Sequence, residues 1–297
     1  MDSFDPTNWP LVRDFVATAH HDTYPFVSTS NADSSGKSVF ITGASRGIGK
    51  AIAVSFAQAG CSQIAVAART GVDKVKDEML SAAQAAGRPK PHIVTLKLDV
   101  TSEKNVADAA ITVSEAFNGS LDILVNSAGS AMAITALGET QVDEWWAQWE
   151  LHVRGTYLCT RALLPLLLKS VTRTVIIVSS AGAHMLTRGL LGYQVSKVAQ
   201  TRFAEFLAKE YEEQGLIAFS VHPGDVLTDM VKITPKEWLP VFKDKPELAG
   251  DTLVWLGKAR REWLSGRFVS CTWDMEELEK RKEEIVSKDL FKFRLTV

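Results

Sequence analysis

The sequence predicts a doubly wound α/β fold, a single domain built on a parallel β-sheet with helices on both faces. Two observations predict it. Short apolar runs alternate along the chain with longer segments of helical period, and strands joined through helices run parallel, with right-handed crossovers that cover both faces of the sheet. The second is the glycine-rich turn TGASRGIGKA, Thr42 to Ala51, placed where the first apolar run gives way to the first helical segment.

Residues 1–35 carry scattered Pro, Asn, Ser and Thr and end in STSNADSSGK with no sustained apolar period, which reads as an N-terminal extension leading into a linker. The folded domain is expected over 36–273. SVFIT is a short buried-strand run, Ile48 to Ala59 a helix, QIAVAA a strand, Val72 to Ala86 a helix, HIVTLKL a strand and Ser102 to Phe117 a further helix. The second half repeats the alternation with LDILVNSAG, a long helix from Val142 to about Ser170, TVIIVSS, a helix from Tyr193 to Gln214, and IAFSVHPG. A polar, proline-interrupted segment over 225 to about 246 precedes a helix near 247–262 and a last strand, RFVSC. The tail, 274–297, is helical and carries EELEKRKEEIVSK, a run that reads as a solvated helix face or a subunit contact.

Composition narrows the partners. With 33 basic against 35 acidic residues among 297, the chain has no concentrated positive charge of the kind that nucleic acid or an acidic membrane requires, so a small ligand is expected. Apolar runs such as ALLPLLL fall far short of the roughly 20 residues of a membrane span. The opening MDSFDPTNWP lacks a basic segment followed by an apolar run, so no secretory signal is expected. Cys61, Cys159 and Cys271 are odd in number and far apart, which reads as free thiols in the cytoplasm and not as disulfides or zinc ligands. His20 and His21 have no acidic or cysteine partner at ligand spacing, and no metal is expected.

Gly43, Gly47 and Gly49 follow the first strand and open the first helix, a spacing that permits a tight turn and lets a pyrophosphate approach the amides of a helix N-terminus. Ser45 and Arg46 lie inside that loop. The second strand ends with Ala68 and Arg69, so no carboxylate stands where one would accept from a ribose 2′-hydroxyl, while Arg46 and Arg69 offer cationic forks suited to a 2′-phosphate. Together they point to NADP(H). Ser180 ends the fifth strand, and 13 residues later YQVSK places Tyr193 and Lys197 four apart on one helix face. A close cation favours the phenolate, so the pair is a candidate acid/base near neutral pH.

TGASRGIG, NSAG at 126–129, VSSAG, YQVSK and HPG at 222–224, in this order and spacing, resemble the short-chain dehydrogenase/reductase family over about Lys37 to Cys271. HHDTYPFVS and LSGRFVSCTWD are similar to fungal members. The resemblance implies a Rossmann fold, a homodimer or homotetramer, and hydride transfer between NADP(H) and a small carbonyl or alcohol substrate. It implies that Tyr193 donates a proton to the carbonyl oxygen, that Lys197 holds the nicotinamide ribose and lowers the tyrosine pKa, and that Ser180 hydrogen-bonds the substrate. Asp99 would bind the adenine, Asn126 would contact the cofactor from the fourth strand, Val226 and Thr228 would meet the carboxamide and phosphates, and Ile48 would back the cofactor. An isomerase or cyclase using the same cofactor, or a cofactor-binding regulatory protein without turnover, is the alternative.

The chain departs from the family pattern twice. NSAG stands for NNAG, and His152 stands three residues before Gly155, where the family has an asparagine that holds a water joining the lysine to solvent. Histidine donates, accepts and titrates near neutrality, so His152 is a candidate member of a proton relay. Trp145, Trp146 and Trp149 begin the same helix and are expected to pack against a neighbour. His184, Met185 and Leu186 are expected to line the substrate pocket, and the resemblance implies that the segment holding Met230, Trp238 and Phe242 closes over substrate, which together suit an apolar or aromatic carbonyl compound.

Overall fold

A computed structural model of the chain describes residues 15–131 and 133–295. The MDSFDPTNWP stretch, where no leader is expected, lies outside the described residues. Strands β1 (Ser38–Thr42), β2 (Gln63–Ala68), β3 (His92–Lys97), β4 (Ile123–Asn126), β5 (Thr174–Val178), β6 (Ile217–His222) and β7 (Arg267–Ser270) form one sheet in the order β3-β2-β1-β4-β5-β6-β7. Every pairing is parallel. Every residue of SVFIT, ILVN, TVIIV and IAFSVH is buried, as in strands covered on both faces, whereas the edge strand β3 stays partly exposed.

Helices α1 (Gly47–Gln58) and α2 (Asp73–Ala85) bury Ile52, Phe56, Val75 and Met79 in the core on one face. Helix α3 (Glu103–Ala116) lies on the other. Expected as one helix, the stretch from Val142 is α4 (Val142–Trp149), a π-helical turn (Glu150–Arg154) and α5 (Gly155–Leu167). At its exit the Gly155 N–H bonds the Glu150 carbonyl, five residues back. Such single π turns concentrate at functional positions, and this one carries His152. Helix α6 (Leu191–Glu210) joins α3 and α5 on their face, and α7 (Pro246–Lys258) packs beside α1 on the opposite one. Of the three tryptophans, Trp146 is exposed, and all three rings contact one another within α4.

The linker character expected before residue 36 is not what the fold contains. From Phe15 on, this segment is strapped across the C-terminal end of the chain. Val16, Val27 and Ala32 are buried, Thr29–Asn31 makes a 3-10 turn, and Ala19 forms an antiparallel bridge with Trp273. The His20 ring stacks on Tyr24, and its Nε2 lies 2.8 Å from Asp274. Helices α8 (Met275–Lys280) and α9 (Lys282–Ser287) bury Leu278 and Ile285 beneath their charged faces, and the Phe268 N–H donates to the Phe291 carbonyl, so the tail covers the edge of β7. These partners stand about as far apart in sequence as the chain permits, which is why local periodicity does not reveal them.

Trp273 is the hub of the strap: it is 2% exposed, and Phe15, Phe268 and Phe291 surround it at ring-centroid distances of 6.2, 6.4 and 4.8 Å. Trp273→Ala is expected to cost about 3–5 kcal/mol of stability in urea unfolding, the range for emptying a buried aromatic site.

Candidate active site

The turn after β1 is shaped by close approach of main chain. Gly43 has φ +68°, and a Cβ on it would stand 2.7 Å from the Ala128 Cα; a Cβ on Gly49 would stand 2.4 Å from the Gly43 carbonyl oxygen. The loop therefore lies flat on the exit of β4 and brings the N-terminus of α1 to the sheet's carboxyl edge. Thr42 fastens the two strand exits, its Oγ1 accepting from the Ser127 and Ala128 N–H groups at 3.0 and 3.1 Å.

A cleft of about 770 Å³ opens over this edge and draws residues from the carboxyl ends of β1 through β6. In a doubly wound sheet that is where ligands bind, beside the point at which strand order reverses, here between β1 and β4. The cleft brings together Gly43, Ser45, Arg46, Gly47, Ile48 and Gly49 from the loop, Arg69 and Asp99 from β2 and β3, and Val226 and Thr228 from the segment after β6. Tyr193 and Lys197 also line it. Asn126 does not: its Nδ2 donates to Thr160 Oγ1 at 3.0 Å, and the side chain is buried against α5.

Asp99 accepts from the Thr101 N–H and hydroxyl at 3.0 and 2.8 Å, and these hydrogen bonds, aided by the Arg69 charge, hold its carboxyl below the usual range. Arg69 is exposed at the cleft rim. Arg46 reaches across to Asp229 at 3.1 Å, both side chains largely in solvent, so the pair is weak and easily exchanged for another anion.

Tyr193 and Ser180 meet at the end of β5. The Ser180 Oγ accepts from the Gly182 N–H at 3.0 Å, and its hydrogen bond to Tyr193 favours the phenolate, but burial outweighs it and holds the tyrosine above its ordinary range. The expected lowering by Lys197 is therefore not realised. Lys197 lies with its Nζ 5.6 Å from the tyrosine ring centre, and burial pushes the amine down to about 7.

His152 is fully buried, its ring edge-on to Tyr193 at 5.7 Å. Nε2 accepts from the Ser130 N–H at 3.1 Å, which leaves Nδ1 to carry the proton and donate to Ser196 Oγ at 2.8 Å. Ser196 in turn donates to the Tyr193 carbonyl at 2.7 Å. Burial and the neighbouring Lys197 keep the imidazole well below its ordinary pKa, hence neutral. Histidine thereby ties the loop after β4 to α6, and Gln148 holds the same loop through Ser130 Oγ at 3.2 Å.

Sequence reasoning missed Ser130, Ser196 and Gln200. Gln200 stood within reach of it, three residues beyond Lys197 on one helix. His184, Met185 and Leu186 line a separate groove of about 990 Å³ and not the cleft, because the 3-10 turn Ala181–His184 carries the chain towards β7, where His184 packs on Phe268 and Phe293. Met230 lines the cleft; Trp238 and Phe242 do not. His20 and His21 find acidic partners across the fold, His21 lying 2.5 Å from Asp244, and among the described residues no three His, Cys, Asp or Glu side chains are placed to hold a metal ion. Nor is any described helix long and apolar enough to cross a membrane.

Residues 37–238 match the family pattern described as short chain dehydrogenase. The chain is 44% identical over 283 residues to the short chain dehydrogenase citE of Monascus ruber, covering 95% of this chain and 97% of that one. A short-chain type dehydrogenase/reductase from Mycobacterium marinum superposes with a TM-score of 0.72 at 26% identity, over 80% of this chain and 94% of the other. Carveol dehydrogenase from Mycobacterium avium, solved in complex with NAD, shares the fold at a TM-score of 0.71 and 20% identity, over 81% and 97% of the two chains.

Proposed function

The chain belongs to the short-chain dehydrogenase family, and from that premise we propose that it is an NADPH-dependent reductase that moves hydride between NADP(H) and a carbonyl or alcohol substrate. The observation that carries this reading is a single cleft with the glycine loop along one side and Tyr193 and Lys197 on the other. A dinucleotide fits the residues present: Gly43 and Gly49 leave no room for a Cβ against neighbouring main chain, so the loop lies flat and the start of α1 at Gly47, Ile48 and Gly49 lines the cleft. When bound, the reduced nicotinamide supplies the hydride.

The chain's own part is orientation and proton transfer. The Tyr193 hydroxyl gives its proton to the carbonyl oxygen, Ser180 hydrogen-bonds the same oxygen, and Lys197 holds the ribose beside them. Gly43, Ser45, Gly47, Ile48, Gly49, Val226 and Thr228 receive the cofactor, with Asp99 at the adenine; Asn126 serves from behind by steadying the end of β4. His152 acts as a neutral brace for this arrangement. Leu151, Leu227, Met230 and Ile233 give the cleft an apolar side, which favours an apolar or aromatic carbonyl compound. Exposed Trp146, Tyr157 and Phe206 on α4, α5 and α6 favour self-association, as a homodimer or homotetramer. Three separate, buried thiols suit the cytoplasm.

A panel of aldehydes and ketones, assayed by absorbance with NADPH and NADH, tests the reading. Deuterated NADPH must leave its label in the product, and binding without turnover across the panel would overturn it. Preference for NADPH rests on Ala68 and Arg69 at the end of β2, where no carboxylate opposes a 2′-phosphate. Arg69→Ala is expected to lower the NADPH over NADH ratio of kcat/KM by about tenfold to a hundredfold, the worth of one charge-assisted contact. An unchanged ratio would assign the choice elsewhere.

A further inference from the structure

We propose that Gln200 is a positioning residue that fixes the Lys197 ammonium by a direct side-chain bridge to the main chain of the π turn. The inference rests on the reading of Lys197 as part of the active site. Gln200 lies three residues after Lys197 on α6, so both side chains project from one face of the helix. It is 1% exposed, and Lys197 is 4% exposed. Its Oε1 accepts from Lys197 Nζ at 2.8 Å, while Nε2 donates to the His152 carbonyl at 2.9 Å and to Thr156 Oγ1 at 2.8 Å.

The chemistry of the partners fixes the amide's orientation. An ammonium only donates and a carbonyl only accepts, so a flipped amide would set N–H against N–H at one end and oxygen against oxygen at the other. Both Nε2 hydrogens and the Oε1 are thus used in the only arrangement the surroundings allow. Lys197 has three N–H groups: one goes to the Val178 carbonyl at 3.0 Å, one to Gln200, and the third is left for the cleft that the lysine lines. Two fixed bonds aim the remaining one. The His152 carbonyl that anchors the glutamine belongs to the π turn, so the departure of this helix from regular α geometry and the placement of the lysine are parts of one assembly.

The bridge also bears on ionisation. Lys197 is already pushed down to about 7 by burial, so loss of an acceptor from its charged form has a consequence at working pH. The titratable groups around it are Tyr193 on its own helix, held protonated by burial; neutral His152 on the π turn; and Asp225 after β6, whose charge acts on Tyr193. Beside the Val178 carbonyl, Gln200 supplies a second close neutral acceptor, and the one that a side-chain substitution can remove.

The test is the titration of Lys197 itself, followed by NMR of lysine carrying 13C at Cε, with Lys197→Met identifying the resonance. Gln200→Leu removes the acceptor and is expected to lower the midpoint by about one pH unit; Gln200→Glu gives up the Nε2 donors to the His152 carbonyl but keeps an acceptor beside Nζ, now charged, and is expected to raise it by a similar amount. In the active enzyme the alkaline limb of kcat moves in the same directions, while KM for substrate stays within about threefold. A midpoint that stays in place in the folded Gln200→Glu protein overturns the proposal, whether or not Gln200→Leu folds. Because the resonance is read without turnover, a protein inactive on every carbonyl compound would overturn the proposed function and still leave the titration to decide the role of Gln200.

Discussion

Tyr193→Phe is expected to lower kcat by about 10²–10⁴-fold, the contribution of a positioned general acid, while the dissociation constant for NADPH changes less than about threefold. The hydroxyl is the only atom removed, and the ring keeps its place on α6 beside the edge of His152, so circular dichroism and melting temperature should match the parent. The direction of the tyrosine's pKa shift adds a second expectation. Burial raises it, so the group is protonated at neutral pH and ready to donate in carbonyl reduction. Alcohol oxidation needs the deprotonated form and should climb with pH beyond the range where reduction is already flat. Retained turnover in the phenylalanine variant would remove Tyr193 from the reaction, and with it the assignment of the cleft.

How much of this was legible in the sequence depended on whether the signal was local. The parallel sheet is, because strands buried on both faces read as unbroken apolar runs, and SVFIT and TVIIV are such runs. The glycine loop and the Tyr193 to Lys197 spacing are local too, and both reach the same cleft. What failed to show depended on distant partners. Val16 and Val27 look like scattered residues of a linker until elements distant in sequence supply the core that buries them. The expected lowering of the tyrosine pKa follows from the helical spacing, which does put both groups on one face, but burial of the hydroxyl, which no local spacing reveals, outweighs it. His152 was found by its departure from a pattern. Its state was not, since the neutral tautomer is set by the Ser130 N–H from one side and Ser196 from the other.

Gly49→Ala is expected to weaken NADPH binding by about tenfold to a hundredfold while leaving Tyr193, Lys197 and Gln200 where they are. The added methyl would meet the Gly43 carbonyl oxygen at 2.4 Å and its carbon at 2.9 Å. Neither atom belongs to a flexible side chain, so the strain is relieved only by moving main chain. Gly43 cannot retreat, because its own Cα is already set against Ala128 at the exit of β4, and Thr42 locks that exit with two hydrogen bonds. The start of α1 must then lift away from the sheet, taking with it Gly47 and Ile48, which line the cleft. Overpacking of this kind costs about 1–3 kcal/mol, and where the displaced groups are those that meet the ligand, the loss falls on affinity, each 1.4 kcal/mol being about tenfold. A calorimetric titration with NADPH reads it directly. The prediction separates the loop from the reaction centre: Gly49→Ala should raise KM for NADPH and recover most of its kcat at saturation, the reverse of Tyr193→Phe. If instead Gly49→Ala binds NADPH as the parent does, the loop has room that its backbone contacts deny, and the cofactor lies elsewhere in the cleft.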